Sequence, residues 1–145
     1  MVEVKTDLRI ESIQLELHIQ AVNRIDRELI NHTREVLHRW IITGRDGFIY
    51  ERKGEIVGYG HVGSSSGPFA VLDENDFPAV LAHAESLMAQ RAADFGAETP
   101  LINTKAVQYF VERKYQIDSF SAIFMSNVRF GKFENYLCFS PEFFM

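Results

Sequence analysis

The stretch that most constrains the fold runs from Ile56 to Phe95, because it reads as strand, loop, strand, turn and helix in succession. Residues 56–62 have the pattern of a hairpin strand, residues 63–67 are a Gly/Ser loop, and residues 68–72 are a short apolar strand. An acidic turn at residues 73–76 then precedes a long helical stripe. A strand that leads directly into a helix N-terminus is a common place for anions and cofactors to bind. This stretch therefore marks a candidate cofactor site.

Before this stretch, the pattern predicts one strand, two helices and the first half of a hairpin. A strand is predicted at about residues 7–11. The first helix has one buried stripe, which consists of Leu15, Ile19, Val22, Ile25 or Asp26, and Leu29. Thr33 is expected to cap a second helix, whose inner face is predicted to be Val36, Leu37, Trp40 and Ile41. A turn at residues 52–55 joins strands 48–51 and 56–59.

After the acidic turn, the pattern predicts two more helices and three more strands. The long helix has a buried stripe that closes at Gly96 and consists of Val80, Leu81, Ala84, Leu87, Met88 and Phe95. Strands are predicted at residues 99–103, 117–126 and 135–140. The last helix, capped by Asn103 or Thr104, has the core face Ala106, Val107, Phe110 and Val111. The order β-α-α-β-β-β-α-β-α-β-β describes one α/β (α+β) domain over residues 1–145, with a mixed sheet of about six or seven strands and about four helices.

Charge and composition argue against several classes of function. The net charge is −5, from 15 Lys and Arg against 20 Asp and Glu, so neither a general nucleic-acid binder nor a membrane binder is expected. No run approaches the roughly 20 apolar residues of a membrane span, and the charged N-terminus lacks the apolar segment of a signal peptide. Cys138 is the only cysteine, which favours a reducing, cytoplasmic location. The five histidines lack metal-site spacing, so no metal is expected.

Three short motifs occur in an order that a known superfamily shares. They are GEIVGY at residues 54–59, NTKA at residues 103–106 and ERKYQI at residues 112–117. With the element order of the whole chain, they give a resemblance to the GNAT superfamily of acyl-CoA-dependent N-acyltransferases. The ending of the chain resembles the second, degenerate half of tandem GNAT proteins. The resemblance implies a GNAT-like fold and transfer of an acyl group from acyl-CoA to a small amine acceptor.

The resemblance also implies where acyl-CoA binds. Members of the superfamily splay two adjacent strands apart, and the amide groups of acyl-CoA pair with the exposed strand backbone. By position this backbone is that of Val71 and Leu72, whose N–H groups are also the implied oxyanion donors. The pyrophosphate would rest at the turn of residues 73–78, and Asn103 would make a further contact with CoA. Acetyl-CoA or another acyl-CoA is the implied co-substrate.

The turn departs from the superfamily pattern, which has Arg or Gln followed by two closely spaced glycines. Here it reads DENDFP, without a glycine or a basic residue. A carboxylate about 5 Å from a pyrophosphate costs roughly 1–3 kcal/mol, whereas the helix dipole returns only about 0.3–1 kcal/mol. Asp76 is expected to cap the helix and to compete for the same amides, and Pro78 donates none. Phe110 stands where the superfamily usually has a tyrosine as general acid.

Three side chains are candidates for the acceptor side. His61 shares a strand face with Tyr59 and could be a general base, or it could be a structural histidine. His38 and Trp40 lie on the helix that often walls the acceptor site, although Trp40 also fits the core and His38, together with Arg34, could face water. An N-acyltransferase is the first expectation. The alternative is a catalytically inactive GNAT-fold domain that serves as a ligand-binding or dimerisation module, and a homodimer remains open.

Overall fold

The computed structural model describes residues 4–119 and 121–138. Its α-helices are α1 (Leu15–Ile30), α2 (Glu35–Ile41), α3 (Phe77–Gln90) and α4 (Thr104–Glu112). Its strands are β1 (Arg9–Ser12), β2 (Asp46–Arg52), β3 (Glu55–Val62), β4 (Phe69–Val71) and β5 (Tyr136–Leu137). Two 3-10 turns lie at Glu74–Asp76 and Phe133–Asn135. None of the helices in these ranges is long and apolar enough to cross a bilayer.

The strands form one antiparallel sheet in the order β1-β2-β3-β4-β5. The combination of α-helices and a sheet is confirmed, but the predicted mixed sheet of six or seven strands is wrong for the described residues, which form five antiparallel strands. Residues 99–103 and the described part of 117–126 form no strand. Residues 117–119 and 121–126 are exposed, so no neighbouring strand covers them. Of the predicted strand 135–140, residues 139 and 140 lie outside the described ranges.

The predicted β2–β3 hairpin is confirmed, and β4 packs unusually closely against its second strand. A Cβ atom on Gly60 would lie 2.4 Å from Phe69 Cδ1, and one on Gly58 would lie 2.9 Å from the Ala70 carbonyl oxygen. Because real Cβ atoms do not approach so closely, both positions require glycine. The neighbouring strand, rather than a ligand, accounts for the two glycines.

The sheet separates two apolar clusters. Phe69 and Val71 of β4 belong to the cluster under α3 and α4, whereas Ala70 between them belongs to the cluster under α1. Successive strand residues point to opposite faces, so the two clusters lie on opposite sides of the sheet. The predicted α1 stripe is confirmed, and both Ile25 and Asp26 are buried in it.

The predicted inner face of α2 is confirmed for Ile41 and wrong for Val36 and Trp40. Val36 is 84% exposed and Trp40 is 60% exposed, whereas Arg34, His38 and Ile41 are buried. Thr33 does not cap the helix, because Arg34 holds the N-cap position and makes no side-chain cap bond. The polar face of α2 turns inward because its side chains pair with a carboxylate on α1, as the site geometry below shows.

The last two helices follow their predictions in part. α3 ends at Gln90 and does not continue to Phe95, although Phe95 still packs against the core. Asn103 caps α4 as predicted, and its Oδ1 accepts from the Ala106 N–H at 3.1 Å. Val111, predicted to be core, is 58% exposed.

Candidate functional site

Six polar side chains lie buried together between α1, α2 and the sheet, and we refer to them as the buried polar cluster. α1 supplies one of them, the start of α2 two, β3 two and β5 one. In chain order they are Asp26, Arg34, His38, Tyr59, His61 and Tyr136. None is more than 5% exposed. Buried ionisable groups that share hydrogen bonds are typical of functional sites, and they also occur as structural networks.

Asp26 is the centre of the buried polar cluster. Its Oδ1 accepts from the Tyr59 hydroxyl at 2.5 Å and from Arg34 Nη2 at 3.1 Å. Its Oδ2 accepts from His38 Nε2 at 2.9 Å and from Arg34 Nε at 3.3 Å. Arg34 also donates from Nη1 to the Tyr136 hydroxyl at 2.7 Å. The carboxylate is therefore fully hydrogen-bonded, and the Arg34 charge balances it.

A second line of hydrogen bonds leads from Asp26 through His38 to His61. Since a carboxylate only accepts, His38 Nε2 carries the proton that it shares with Asp26. When His38 is neutral, its Nδ1 accepts from His61 Nε2 at 3.2 Å. Neutral His61 is left with an unprotonated Nδ1, which is buried and has no hydrogen-bond partner among the described residues. The chain Asp26–His38–His61 thus ends in an unused proton acceptor.

The buried environment favours this neutral form of His61. Burial lowers the pKa of His61 to about 3, and the positive charges near it act in the same direction. Burial alone would raise the pKa of Asp26, but the hydrogen bond from His38 and the charge of Arg34 outweigh it and hold that pKa below its ordinary value. We refer to the hydrogen-bonded chain Asp26–His38–His61 as the relay. At neutral pH it therefore consists of a carboxylate and two histidines, of which His61 is uncharged.

The Nδ1 atom of His61 is buried, and half-buried residues lie next to it. Gly47 pairs with His61 across β2 and β3, and a Cβ atom on Gly47 would lie 3.3 Å from His61 Nδ1. The same position would be 3.0 Å from Ile13 Cδ1. Gly47 and Ile13 are only half-buried. A substrate would have to displace these residues to reach His61 Nδ1 from this side.

The backbone expected to hold acyl-CoA is already hydrogen-bonded. The Leu72 N–H, one of the two implied oxyanion donors, donates to the Val57 carbonyl at 2.8 Å. Asn135 Nδ2 donates to the Val71 carbonyl at 2.9 Å and to the Leu72 carbonyl at 3.2 Å. β5 pairs with β4 beside them. Asn135 therefore occupies the carbonyl groups with which an amide of an acyl donor would pair.

The acidic turn has a different chemistry from the one predicted. Asp73, not Asp76, makes the cap bond, and its Oδ1 accepts from the Asn75 N–H at 2.9 Å. Asp76 holds the N-cap position of α3 as predicted, but its side chain makes no cap bond, because both of its carboxylate oxygens accept from Arg52, at 3.0 and 2.6 Å. Arg52 also binds Asp7. An open cleft of about 790 Å³ runs past these residues, and its one arginine is already paired with two carboxylates.

The remaining candidates are spread over the molecule. Asn103 is fully buried, and its Nδ2 has no partner among the described residues, so it keeps a free donor beside its cap bond. Trp40 is exposed and lies outside the buried polar cluster, unlike His38. Phe110 packs its ring against Phe95 and Tyr115. Its neighbour Tyr109 is buried, not a surface tyrosine, and donates to Glu85.

The sequence analysis singled out His61, Tyr59, His38 and Arg34, but it did not predict that these side chains contact one another. It also missed Asn135 and Tyr136, because nothing in the spacing links the last strand to α2. One signal was present, since Asp26 interrupts the apolar stripe of α1. A carboxylate on a buried stripe needs cationic or donor partners, and in the structure Arg34 and His38, 8 and 12 positions further along the chain, supply them.

Comparison with known proteins identifies no relative of this chain. No family model matches the chain, and neither a curated protein nor a solved structure matches it.

Proposed function

We propose that this chain is a GNAT-like N-acyltransferase that moves an acyl group from acetyl-CoA or another acyl-CoA to a small amine. One observation carries the proposal: the chain Asp26–His38–His61 ends in a buried nitrogen that has no hydrogen-bond partner among the described residues. Acyl transfer to an amine requires removal of a proton from the attacking nitrogen. His61 Nδ1 can accept that proton while His61 passes its Nε2 proton to His38, so that the positive charge forms beside Asp26 and not on His61, whose lowered pKa disfavours a charge.

The proton balance of the reaction fits the relay. The amine nitrogen bonds to the thioester carbonyl carbon, the C–S bond breaks, and CoA leaves as a thiolate. The nitrogen gives its proton to His61 Nδ1, and His61 passes its own Nε2 proton to His38 Nδ1. The positive charge then rests on His38, beside Asp26. Because Arg34 already balances Asp26, the extra proton must move on to the thiolate or to water before the next turnover.

Asn103 supports the donor half of the proposal. Its Oδ1 is engaged at the start of α4, but its buried Nδ2 offers a hydrogen-bond donor that no described residue uses. An oxygen of acyl-CoA would satisfy it, and leaving such a group unsatisfied costs roughly 1–3 kcal/mol. Val71 and Leu72 would hold the donor's amides, once their carbonyls are released.

A thiol-release assay with acetyl-CoA and a panel of small primary amines tests the proposal. We expect activity in the natural chain and a loss of roughly 10²–10⁴-fold in kcat/KM for His61→Gln, since glutamine cannot accept the proton. His83→Gln is the matched control, because His83 lies on α3 and bonds Tyr50, outside the buried polar cluster. If millimolar acetyl-CoA produces neither heat nor a thermal shift, the proposal is overturned.

A second candidate function has its own supporting observation. The Asn135 side chain donates hydrogen bonds to the carbonyls of Val71 and Leu72. At the turn where a pyrophosphate would rest, Asp7 and Asp76 neutralise the charge of Arg52. A GNAT-fold domain without catalysis, serving as a ligand-binding or dimerisation module, fits these contacts. The thiol-release assay separates the candidates, because a domain without catalysis releases no thiol even if it binds acetyl-CoA, and sedimentation of the chain alone checks for a homodimer.

A further inference from the structure

The geometry points to Asn135 as a latch on β4, a side chain that an acyl donor must displace and that therefore sets the donor's affinity. This inference rests on the proposed function and concerns the regulation of the same site. Asn135 is 8% exposed and lies at the end of a 3-10 turn, immediately before β5.

Asn135 and an acyl donor would use the same two oxygen atoms. A side-chain amide has two N–H donors, and those of Asn135 serve the Val71 carbonyl and the Leu72 carbonyl. An amide N–H of the donor would have to reach these oxygens where the buried Asn135 side chain now lies. The donor can therefore bind there only after the Asn135 side chain gives up its two hydrogen bonds and moves away.

The backbone on both sides of Asn135 is held by hydrogen bonds, so the side chain is the part of the latch that moves on release. On one side the Lys132 N–H donates to the Leu29 carbonyl at 2.6 Å. On the other side Tyr136 pairs with Ala70 of β4, and its hydroxyl accepts from Arg34. The Asn135 side chain can therefore rotate away while the backbone stays in place. A larger movement would withdraw the Tyr136 hydroxyl from the buried polar cluster.

Titration calorimetry with acetyl-CoA tests the latch on three proteins: the natural chain, Asn135→Leu and Asn23→Leu. Leucine has nearly the shape of asparagine but cannot donate, so Asn135→Leu should bind acetyl-CoA about tenfold more tightly. Asn23 is a matched control, because it is also buried but its amide donates to Glu35, away from β4. Asn23→Leu should leave the dissociation constant unchanged.

The outcomes separate this inference from the proposed function. Binding to all three proteins with the same dissociation constant overturns the latch and leaves the acyltransferase proposal intact. An absence of binding to any of them overturns both. If Asn135→Leu fails to fold, amide NMR of the natural chain decides the question. The Asn135 side-chain NH₂ should lose its protection from hydrogen exchange at saturating acetyl-CoA, and unchanged protection contradicts the latch.

Discussion

Asp26 holds together the hydrogen bonds of the buried polar cluster under α1. It is 1% exposed and accepts hydrogen bonds from Arg34, His38 and Tyr59. A buried charge of this kind is tolerated only when it is paired and fully hydrogen-bonded. Asp26 therefore does not add much net stability by itself, but its removal leaves Arg34 as an unbalanced charge in the core.

Asp26→Asn should lower the free energy of unfolding by about 3–5 kcal/mol, the range for breaking one partner of a buried ion pair. Urea denaturation at pH 7 measures the change. Asp118→Asn, on an exposed carboxylate, is the control and should stay within about 0.5 kcal/mol of the natural chain.

Removing both charges gives the opposite expectation. In the double variant Asp26→Leu with Arg34→Leu, neither charge remains buried, and much of the lost stability should return. A double variant as unstable as the sum of its two single variants would show that the pair does not act through its buried charges.

At the scale of the elements, α2 buries Ile41, as its sequence suggests, but it buries His38 in place of Trp40. Ile41 is 2% exposed, whereas Trp40 beside it is 60% exposed. Ile41→Ala should cost about 2–5 kcal/mol of unfolding free energy, the range for a large-to-small change in a core. Trp40→Ala should change it by no more than about 0.5 kcal/mol.

Fluorescence provides an independent check, because Trp40 is the only tryptophan. Its emission in the folded protein should be readily quenched by iodide. Emission shielded from iodide until the chain unfolds would place Trp40 in the core, as its spacing had predicted.

The close approach of β4 to β3 gives a prediction for glycine. Gly60→Ala would force a methyl group against the Phe69 ring and should destabilise the fold by about 1–3 kcal/mol. Gly44→Ala is the matched control, because a Cβ atom there meets nothing within 4 Å. Thermal unfolding of the two variants compares them directly, and equal melting temperatures would contradict the packing of β4 described above.

The elements that follow from local pattern were predictable, and those that depend on distant partners were not. The stripe of α1, the β2–β3 hairpin and the Asn103 cap are encoded within a few residues of one another. The face of α2 depends on Asp26, which lies 12 residues before His38. The pairing of β4 depends on residues 136 and 137. His61 and His38 were therefore found as separate candidates, while their contact and the role of Asn135 required the fold.

At the scale of the whole molecule, acid should destabilise the fold through His61. Its pKa is about 3 in the folded state, against an ordinary value of 6.5, so the unfolded chain binds the proton more readily. The stability is thus complete above pH 6.5 and falls as the pH drops from there towards 3. Because the pKa of Asp26 is lowered in the folded state, protonation of Asp26 causes a further loss of stability at lower pH.

Between pH 7.5 and pH 5, His61 should account for a loss of about 2 kcal/mol in unfolding free energy. Urea titrations at the two pH values measure it. In His61→Gln this part of the pH dependence should disappear, because glutamine does not titrate. An unchanged difference between the two pH values in the variant would assign the acid sensitivity to other groups.

The hydrogen bond between Arg34 and Tyr136 joins residues that are 102 positions apart in the chain. Closing so long a loop carries a large entropic cost, so contacts of this range form late in folding. Until Tyr136 arrives, Arg34 lacks one of its partners and β4 lacks its neighbour on one side. During synthesis this edge of β4 therefore stays open until residues 136 and 137 have been made, and in that interval it is a surface that a chaperone would recognise.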